Sequence, residues 1–239
     1  MKILILGGTS EARELAERLV ARGHQVTTSL AGRTRMPHLP AGTLRVGRFG
    51  GAAGLAAYLR SERFEHIIDA THPYAGTISA NAASAADESG IPLIRLQRPA
   101  WDEPEGAGWV HVATLADAAA ALPRGAIVLV TTGHEGLEAM LARTDCRLLV
   151  RLIEPPGAPL PGHARLILDR PPYAPEAELA LLRTEGVTHL VTKNSGGTQT
   201  AAKLQAAREA GVQVIMLERP DTGAAHEVSS VDAAIAALD

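Results

Sequence analysis

Lys2-Ile3-Leu4-Ile5-Leu6-Gly7-Gly8-Thr9-Ser10-Glu11-Ala12 is the stretch that decides the fold class. Its first residues form a short, nearly unbroken apolar run, as a strand buried on both faces requires. Gly7 and Gly8 end the run. The segment beyond puts Ala12, Leu15, Ala16, Leu19 and Val20 on one face of a helix. Glu11 and Glu14 in its first turn and Arg22 in its last complement the helix dipole, and Gly23 stops it. Gln25 to Leu30 reads as a second strand and completes a β-α-β unit.

The alternation continues outward. Ala52 to Arg60 and Ile78 to Ala86 read as helices, the second stopped by Gly90, while His66 to Asp69 and Leu93 to Leu96 read as strands. Arg98 to Gly108 holds two prolines and two glycines without periodicity and is the best linker. Beyond it, strands are expected over Ile127 to Val130, Leu148 to Leu152, Leu190 to Thr192 and Val212 to Leu217. Helices are expected over Leu115 to Leu122, Leu137 to Arg143, Glu176 to Arg183 and Thr200 to Ala210. The proline-rich stretches Glu154 to His163 and Arg170 to Pro175 read as loops. Such alternation predicts parallel sheets covered on both faces. Two α/β domains, residues 1–98 and 99–239, with a cleft between them fit better than one very wide sheet.

Of the 239 residues, 46% are apolar and 21% charged, which excludes a wholly disordered chain. No apolar run reaches the roughly 18 residues of a membrane span. Met1 to Leu6 meets Gly7 too early for a signal peptide, so a cytoplasmic protein with no membrane partner is expected. A net charge of −3 argues against binding nucleic acid along the whole surface and leaves room for a local basic pocket. Cys146, the one cysteine, excludes an intrachain disulfide. His-Glu-x-x-His, Cys-x-x-Cys and Gly-x-Ser-x-Gly are all missing, so no metal and no serine hydrolase is expected. Aromatic residues are only 3% of the chain, and Phe49, Tyr74, Trp101 and Tyr173 fall in expected loops. There they are either surface plugs or platforms for a flat ligand.

Four turns carry groups suited to chemistry. In the first, Gly7 and Ala12 match the first and third small positions of a dinucleotide fingerprint, and Thr9 replaces the middle glycine. A phosphate there would use backbone N–H groups and the Thr9 or Ser10 hydroxyl; a tight turn without ligand is the plain alternative. In the second, His24 to Arg33 offers no acid for a ribose 2′-hydroxyl but supplies Ser29 and the forked guanidinium of Arg33. That pair suits a 2′-phosphate and favours NADP over NAD.

The third turn, Asp69-Ala70-Thr71-His72-Pro73-Tyr74-Ala75, sits where ligands bind in open α/β sheets. Asp69, His72 and Tyr74 are candidate proton donors there; alternatively Asp69 caps a helix and His72 is a surface residue. The fourth is Thr192-Lys193-Asn194-Ser195-Gly196-Gly197-Thr198, whose glycines turn N–H groups toward an anion while Lys193 adds a full charge. Lys203 lies on the helix that follows. The spacing is not that of a nucleoside-triphosphate P-loop. Arg48, Arg98, Arg151 and Arg219 lie near loops and are further cations for a second, anionic molecule.

Taken together, these residues resemble the precorrin-6A reductase family, cobalt-precorrin-6A reductases included. The resemblance runs in order through residues 7–13, 29–33, 47–51, 69–75, 98–101, 131–133, 192–197 and 218–220. Asp-Ala-Thr-His-Pro and Thr-Lys-Asn-Ser-Gly-Gly are its most specific blocks. It implies two Rossmann-like domains and an NADPH-dependent reduction of precorrin-6A to precorrin-6B, with hydride delivered to ring carbon C19. NADPH, leaving as NADP+, would be held by the first domain through Gly7, Gly8, Thr9, Ser10, Glu11, Ala12, Arg13, Ser29, Arg33, Thr71 and Pro73. The tetrapyrrole would be held through Arg48, Arg98, Thr132, Lys193, Asn194, Ser195, Gly196, Gly197 and Lys203. Asp69, His72, Tyr74 or solvent would supply the proton.

The residues leave two other readings open. One is an NADP-dependent reductase of another small anionic substrate, although the Tyr-x-x-x-Lys of short-chain dehydrogenases is missing: Tyr58, Tyr74 and Tyr173 are followed four residues on by Glu62, Ile78 and Ala177. The other is a two-lobed binding module without catalysis. Neither the oligomeric state, for which a monomer is the expectation, nor whether the substrate carries cobalt is fixed by the sequence.

Overall fold

The computed structural model describes residues 1–32 and 39–238. In chain order the elements are β1 (Lys2–Leu6), α1 (Ser10–Ala21), β2 (Gln25–Leu30), β3 (Thr43–Val46), α2 (Ala52–Ser61), β4 (His66–Asp69), α3 (Gly76–Ser89) and β5 (Leu93–Leu96). Then come β6 (Val110–Val112), α4 (Leu115–Ala121), β7 (Ile127–Val130), α5 (Leu137–Leu141), β8 (Arg147–Leu152) and β9 (Ala164–Leu168). The chain continues through α6 (Pro175–Glu185), β10 (His189–Lys193), α7 (Ala202–Ala210), β11 (Gln213–Leu217), β12 (His226–Val228) and α8 (Val231–Ala236).

The strands form two six-stranded parallel sheets, ordered β12-β5-β4-β1-β2-β3 and β6-β11-β10-β7-β8-β9. Each is the doubly wound Rossmann order, so the expected α/β class with two Rossmann-like domains holds. The expected division at residue 98 needs correction. One unit comprises Met1–Pro99 plus everything from Pro220 onward, and the other is Ala100–Arg219. β12 fills the sixth place of the first sheet, and β6 fills the sixth place of the second. The chain thus exchanges its sixth strands. The helix after β12 follows it: Arg18 on α1 pairs with Asp232 on α8, and Val231, Ala234 and Ile235 join the core beneath α1.

β1 shows why its run is apolar throughout. Ile3 and Ile5 face Ala12, Leu15, Ala16 and Leu19 of α1, whereas Leu4 and Leu6 face Leu55, Leu59 and Ala82 of α2 and α3. All four strand residues are 0–1% exposed. Val20, expected on the buried face of α1, is instead 37% exposed. In the second unit Leu129, Leu149, Leu190, Val214 and Met216 pack with Leu182 of α6 and Ala206 and Ala207 of α7, and Trp101 and Trp109 lie against them. Among the described residues no helix is long and apolar enough to cross a membrane.

The strands that periodicity missed are β3, β6, β9 and β12, which are the four sheet edges. Edge strands are short and half-solvated, so they need no apolar run. Val110-His111-Val112 and His226-Glu227-Val228 are only three residues each.

His66 and His189 open the central strands β4 and β10, and burial holds both imidazoles below the ordinary value of 6.5. The unfolded chain therefore takes up protons first as pH falls, so their contribution is complete above that value and is lost in acid. Thermal midpoints should fall between pH about 7 and about 5, and a His66→Gln, His189→Gln double variant should show a flatter slope over that window. An unchanged slope would remove these two groups as its source.

Candidate cofactor and substrate site

In the first unit the strand order reverses between β1 and β4, which is where a crevice opens at the strand carboxyl ends. Gly8, after β1, has φ +123°, and a Cβ built on it would meet nothing within 4 Å. Its backbone is open to close approach. Gly7 is small for another reason: a Cβ there would lie 2.8 Å from Thr28 Cγ2 and 3.6 Å from the Ala12 Cβ. Thr9, expected as a phosphate donor, is committed elsewhere. Its hydroxyl donates to Ala70 O at 2.8 Å and accepts from Ala12 N at 3.1 Å. It caps α1 and ties the two strand-end turns together.

Ser10 Oγ donates to Glu11 Oε2 at 3.0 Å, and Arg98 Nη1 donates to both Glu11 oxygens at 3.0 Å. Burial alone would push the Glu11 carboxyl up; a backbone N–H, the Arg98 guanidinium and the Ser10 hydroxyl outweigh it and hold it below the usual carboxylate range. Arg98, expected at the substrate, is therefore engaged beside α1. A small recess at this point is lined by Thr9, Glu11, Thr71, Pro73 and Arg98, so two of the sequence turns do converge.

Asp69 ends β4 and is 2% exposed. Its Oδ1 accepts from Thr71 N at 3.1 Å and Thr71 Oγ1 at 2.7 Å, and its Oδ2 faces Arg95 Nε at 3.5 Å. A side chain so buried and so paired holds the turn. Arg95, itself 2% exposed, also donates to Thr222 O at 3.0 Å, Gly223 O at 2.8 Å and Glu227 Oε1 at 3.2 Å. Sequence reading missed Arg95, although a cation inside the apolar strand Leu93-Ile94-Arg95-Leu96 was a signal, because a buried charge requires partners. His72 is exposed and Tyr74 half-buried, with ring centroids 5.8 Å apart, and Tyr74 N donates to His72 Nδ1 at 3.2 Å.

At the end of β2, Ser29 is 6% exposed, and its Oγ accepts from Arg45 Nη1 at 3.2 Å. Arg33 lies outside the described residues. Arg13, on α1, is half-buried, and Arg48 is exposed in the loop after β3.

The second unit has its own reversal point, between β7 and β10. Thr132, after β7, is 3% exposed, and its Oγ1 has no hydrogen-bond partner among the described residues. After β10, Gly196 and Gly197 have φ +66° and +77°. Asn194 spends its amide on Trp101, accepting from Trp101 N at 2.7 Å and donating to Trp101 O at 3.0 Å. Trp101 Nε1 donates to Gly197 O at 2.8 Å, and Arg219 Nε to Asn194 O at 2.8 Å. Ser195 is 6% exposed. Lys203 is 5% exposed, with Nζ 5.1 Å from the Trp101 ring centroid, so it lies under the turn rather than on the surface. Arg151 is not a free cation either: both Nη atoms donate to Glu178 at 2.9 and 2.7 Å, and Tyr173 covers it at 4.4 Å. Phe49, Trp101 and Tyr173 are thus plugs with internal partners.

The family model described as Precorrin-6x reductase CbiJ/CobK matches residues 2–239. The chain belongs to the precorrin-6x reductase family. It is 48% identical over 238 residues to the precorrin-6A reductase of Rhodococcus erythropolis, covering 98% of this chain and 96% of that protein. It is 31% identical over 239 residues to the cobalt-precorrin-6A reductase of Priestia megaterium, with coverage of 91% and 90%. A solved structure described as CobK precorrin-6A reductase superposes with a TM-score of 0.93 at 40% identity, covering all of this chain and 96% of that one.

Proposed function

We propose that this chain is an NADPH-dependent oxidoreductase that reduces metal-free precorrin-6A to precorrin-6B in cobalamin biosynthesis, acting as a monomer in the cytoplasm. The observation that carries the reading is family similarity over the whole chain joined to a dinucleotide-type crevice in the first unit. The higher identity to a precorrin-6A reductase than to a cobalt-precorrin-6A reductase, 48% against 31%, favours the metal-free substrate.

The residues fit a dinucleotide. Gly8 leaves its backbone uncovered at the amino end of α1, Ala12 lets the helix approach the sheet, and β2 ends without an acid. Backbone N–H groups of residues 8–10, rather than the occupied Thr9 and Ser10 hydroxyls, take the pyrophosphate, with Arg13 alongside. Thr71 and Pro73 border the nicotinamide, held there by Asp69. Bound in this crevice, the reduced nicotinamide supplies the hydride. His72, Tyr74 or water provides the proton, and Glu11 with Arg98 sets the wall of the recess.

In the second unit the Lys193 turn and Thr132 take substrate carboxylates. Asn194 and Lys203 support that turn through Trp101, and Ser195, Gly196 and Gly197 shape it. Arg48 is a further cation for a substrate carboxylate.

The test is anaerobic mixing of purified protein, NADPH and precorrin-6A, following the nicotinamide and macrocycle absorbances together, with cobalt-precorrin-6A in parallel. Matched loss of both chromophores with the metal-free substrate is expected. No change with either macrocycle would leave the binding-module reading. Lys193→Ala should weaken macrocycle binding by at least about tenfold while NADPH affinity is kept. The reverse pattern would move Lys193 to the cofactor.

A further inference from the structure

The register of the first sheet sets Arg45, Ser29, Leu6, Asp69, Arg95 and Glu227 in one lateral row near the carboxyl ends of its six strands. Neighbours in such a row of a parallel sheet point to the same face. At one end of it Arg95 lies between two carboxylates, Asp69 and Glu227. At the other end the cation has no such partner among the described residues.

Arg45 donates from Nη1 to Ser29 Oγ at 3.2 Å and Gly47 O at 2.7 Å, and from Nη2 to Arg48 O at 2.9 Å. Its guanidinium lies 3.7 Å from the Phe49 ring centroid and 5.0 Å from that of Tyr58. All of these partners are neutral. No carboxylate pairs with Arg45 among the described residues, and Arg33-Thr34-Arg35-Met36-Pro37-His38 contains no acid that could do so. The second Nη2 hydrogen and the Nε hydrogen have no acceptor among the described residues. Ser29 uses its Oγ as an acceptor, so its own proton remains to be given. A half-buried, oriented cation with no carboxylate partner among the described residues thus stands beside a hydroxyl donor at the end of β2, the place where a dinucleotide fold reads the adenosine ribose.

We propose that Arg45 and Ser29 form the site that recognises the 2′-phosphate of the cofactor, so that Arg45 is a residue that selects NADPH over NADH. The proposal rests on the reading that the cofactor is a phosphorylated nicotinamide dinucleotide. Phe49 and Tyr58 hold the guanidinium flat, and the carbonyls of Gly47 and Arg48 fix its rotation, which leaves the fork preorganised for a phosphate.

The test is calorimetric binding of 2′,5′-ADP and 5′-AMP to the full chain, its Arg45→Met, Arg45→Lys and Ser29→Ala variants. The unaltered protein should prefer 2′,5′-ADP. Arg45→Met should weaken 2′,5′-ADP roughly 10- to 150-fold and leave 5′-AMP unchanged. Arg45→Lys should fall between, because a point charge without the fork keeps part of the attraction. Equal weakening of both nucleotides by the Met variant, or by the Lys variant if the former does not fold, would show that Arg45 merely holds its loop and would overturn the proposal. No preference in the unaltered protein would instead overturn the NADPH reading on which it stands.

Discussion

Arg95→Met should remove about 3–5 kcal/mol of stability, the usual result of deleting one member of a buried ion pair and leaving the other behind. The stranded group is Asp69, 2% exposed, whose remaining partners are the Thr71 amide and hydroxyl. The same change removes the donors of Thr222 O and Gly223 O, the carbonyls that lead the returning chain into β12. Urea unfolding checks the magnitude, and limited proteolysis checks whether the segment after Pro220 becomes the first point of cleavage. An Asp69→Asn, Arg95→Met double variant should recover part of the loss, because the buried charge goes with its partner. A single-variant loss below about 1 kcal/mol would mean that the network is ornamental.

Gly54→Ala should destabilise by about 3 kcal/mol, against the rule for helix interiors. Gly54 lies inside α2, where alanine ordinarily gains about 1 kcal/mol over glycine. A Cβ at this position would sit 1.8 Å from the carbonyl oxygen of Phe49 and 2.9 Å from its carbon. These are backbone atoms and cannot rotate away, so either α2 or the loop must shift. That loop carries Gly47 and Arg48, the carbonyl partners of Arg45. Thermal unfolding tests the sign, and the 2′,5′-ADP preference of the folded variant should narrow. A stabilised variant would show that the close approach of loop and helix is not maintained in solution.

The interior of each sheet was legible in the sequence because buried parallel strands are short apolar runs and their helices carry apolar faces. The edges were not. β6 and β12 are three-residue strands with solvated sides, so nothing local marked them, and their exchange between units went unseen until the sheets were assembled. The turns of the candidate site were also legible, since glycines and polar residues follow apolar runs at Gly7, Asp69 and Lys193. Their division of labour was not. Thr9, Asp69, Asn194 and Arg98 looked equally available, yet each has its polar atoms engaged by groups distant in sequence.

The sequence by itself determined the α/β class, the positions of the strand-end turns and, through ordered motifs, the family. Those depend on neighbours within a few residues along the chain, where periodicity and turn chemistry act. Only the tertiary structure decided which polar groups neutralise one another and which cation has no carboxylate partner among the described residues, because charge pairing acts through space. Arg45 meets Ser29, and Arg95 meets Asp69 and Glu227, only once six strands lie side by side in register.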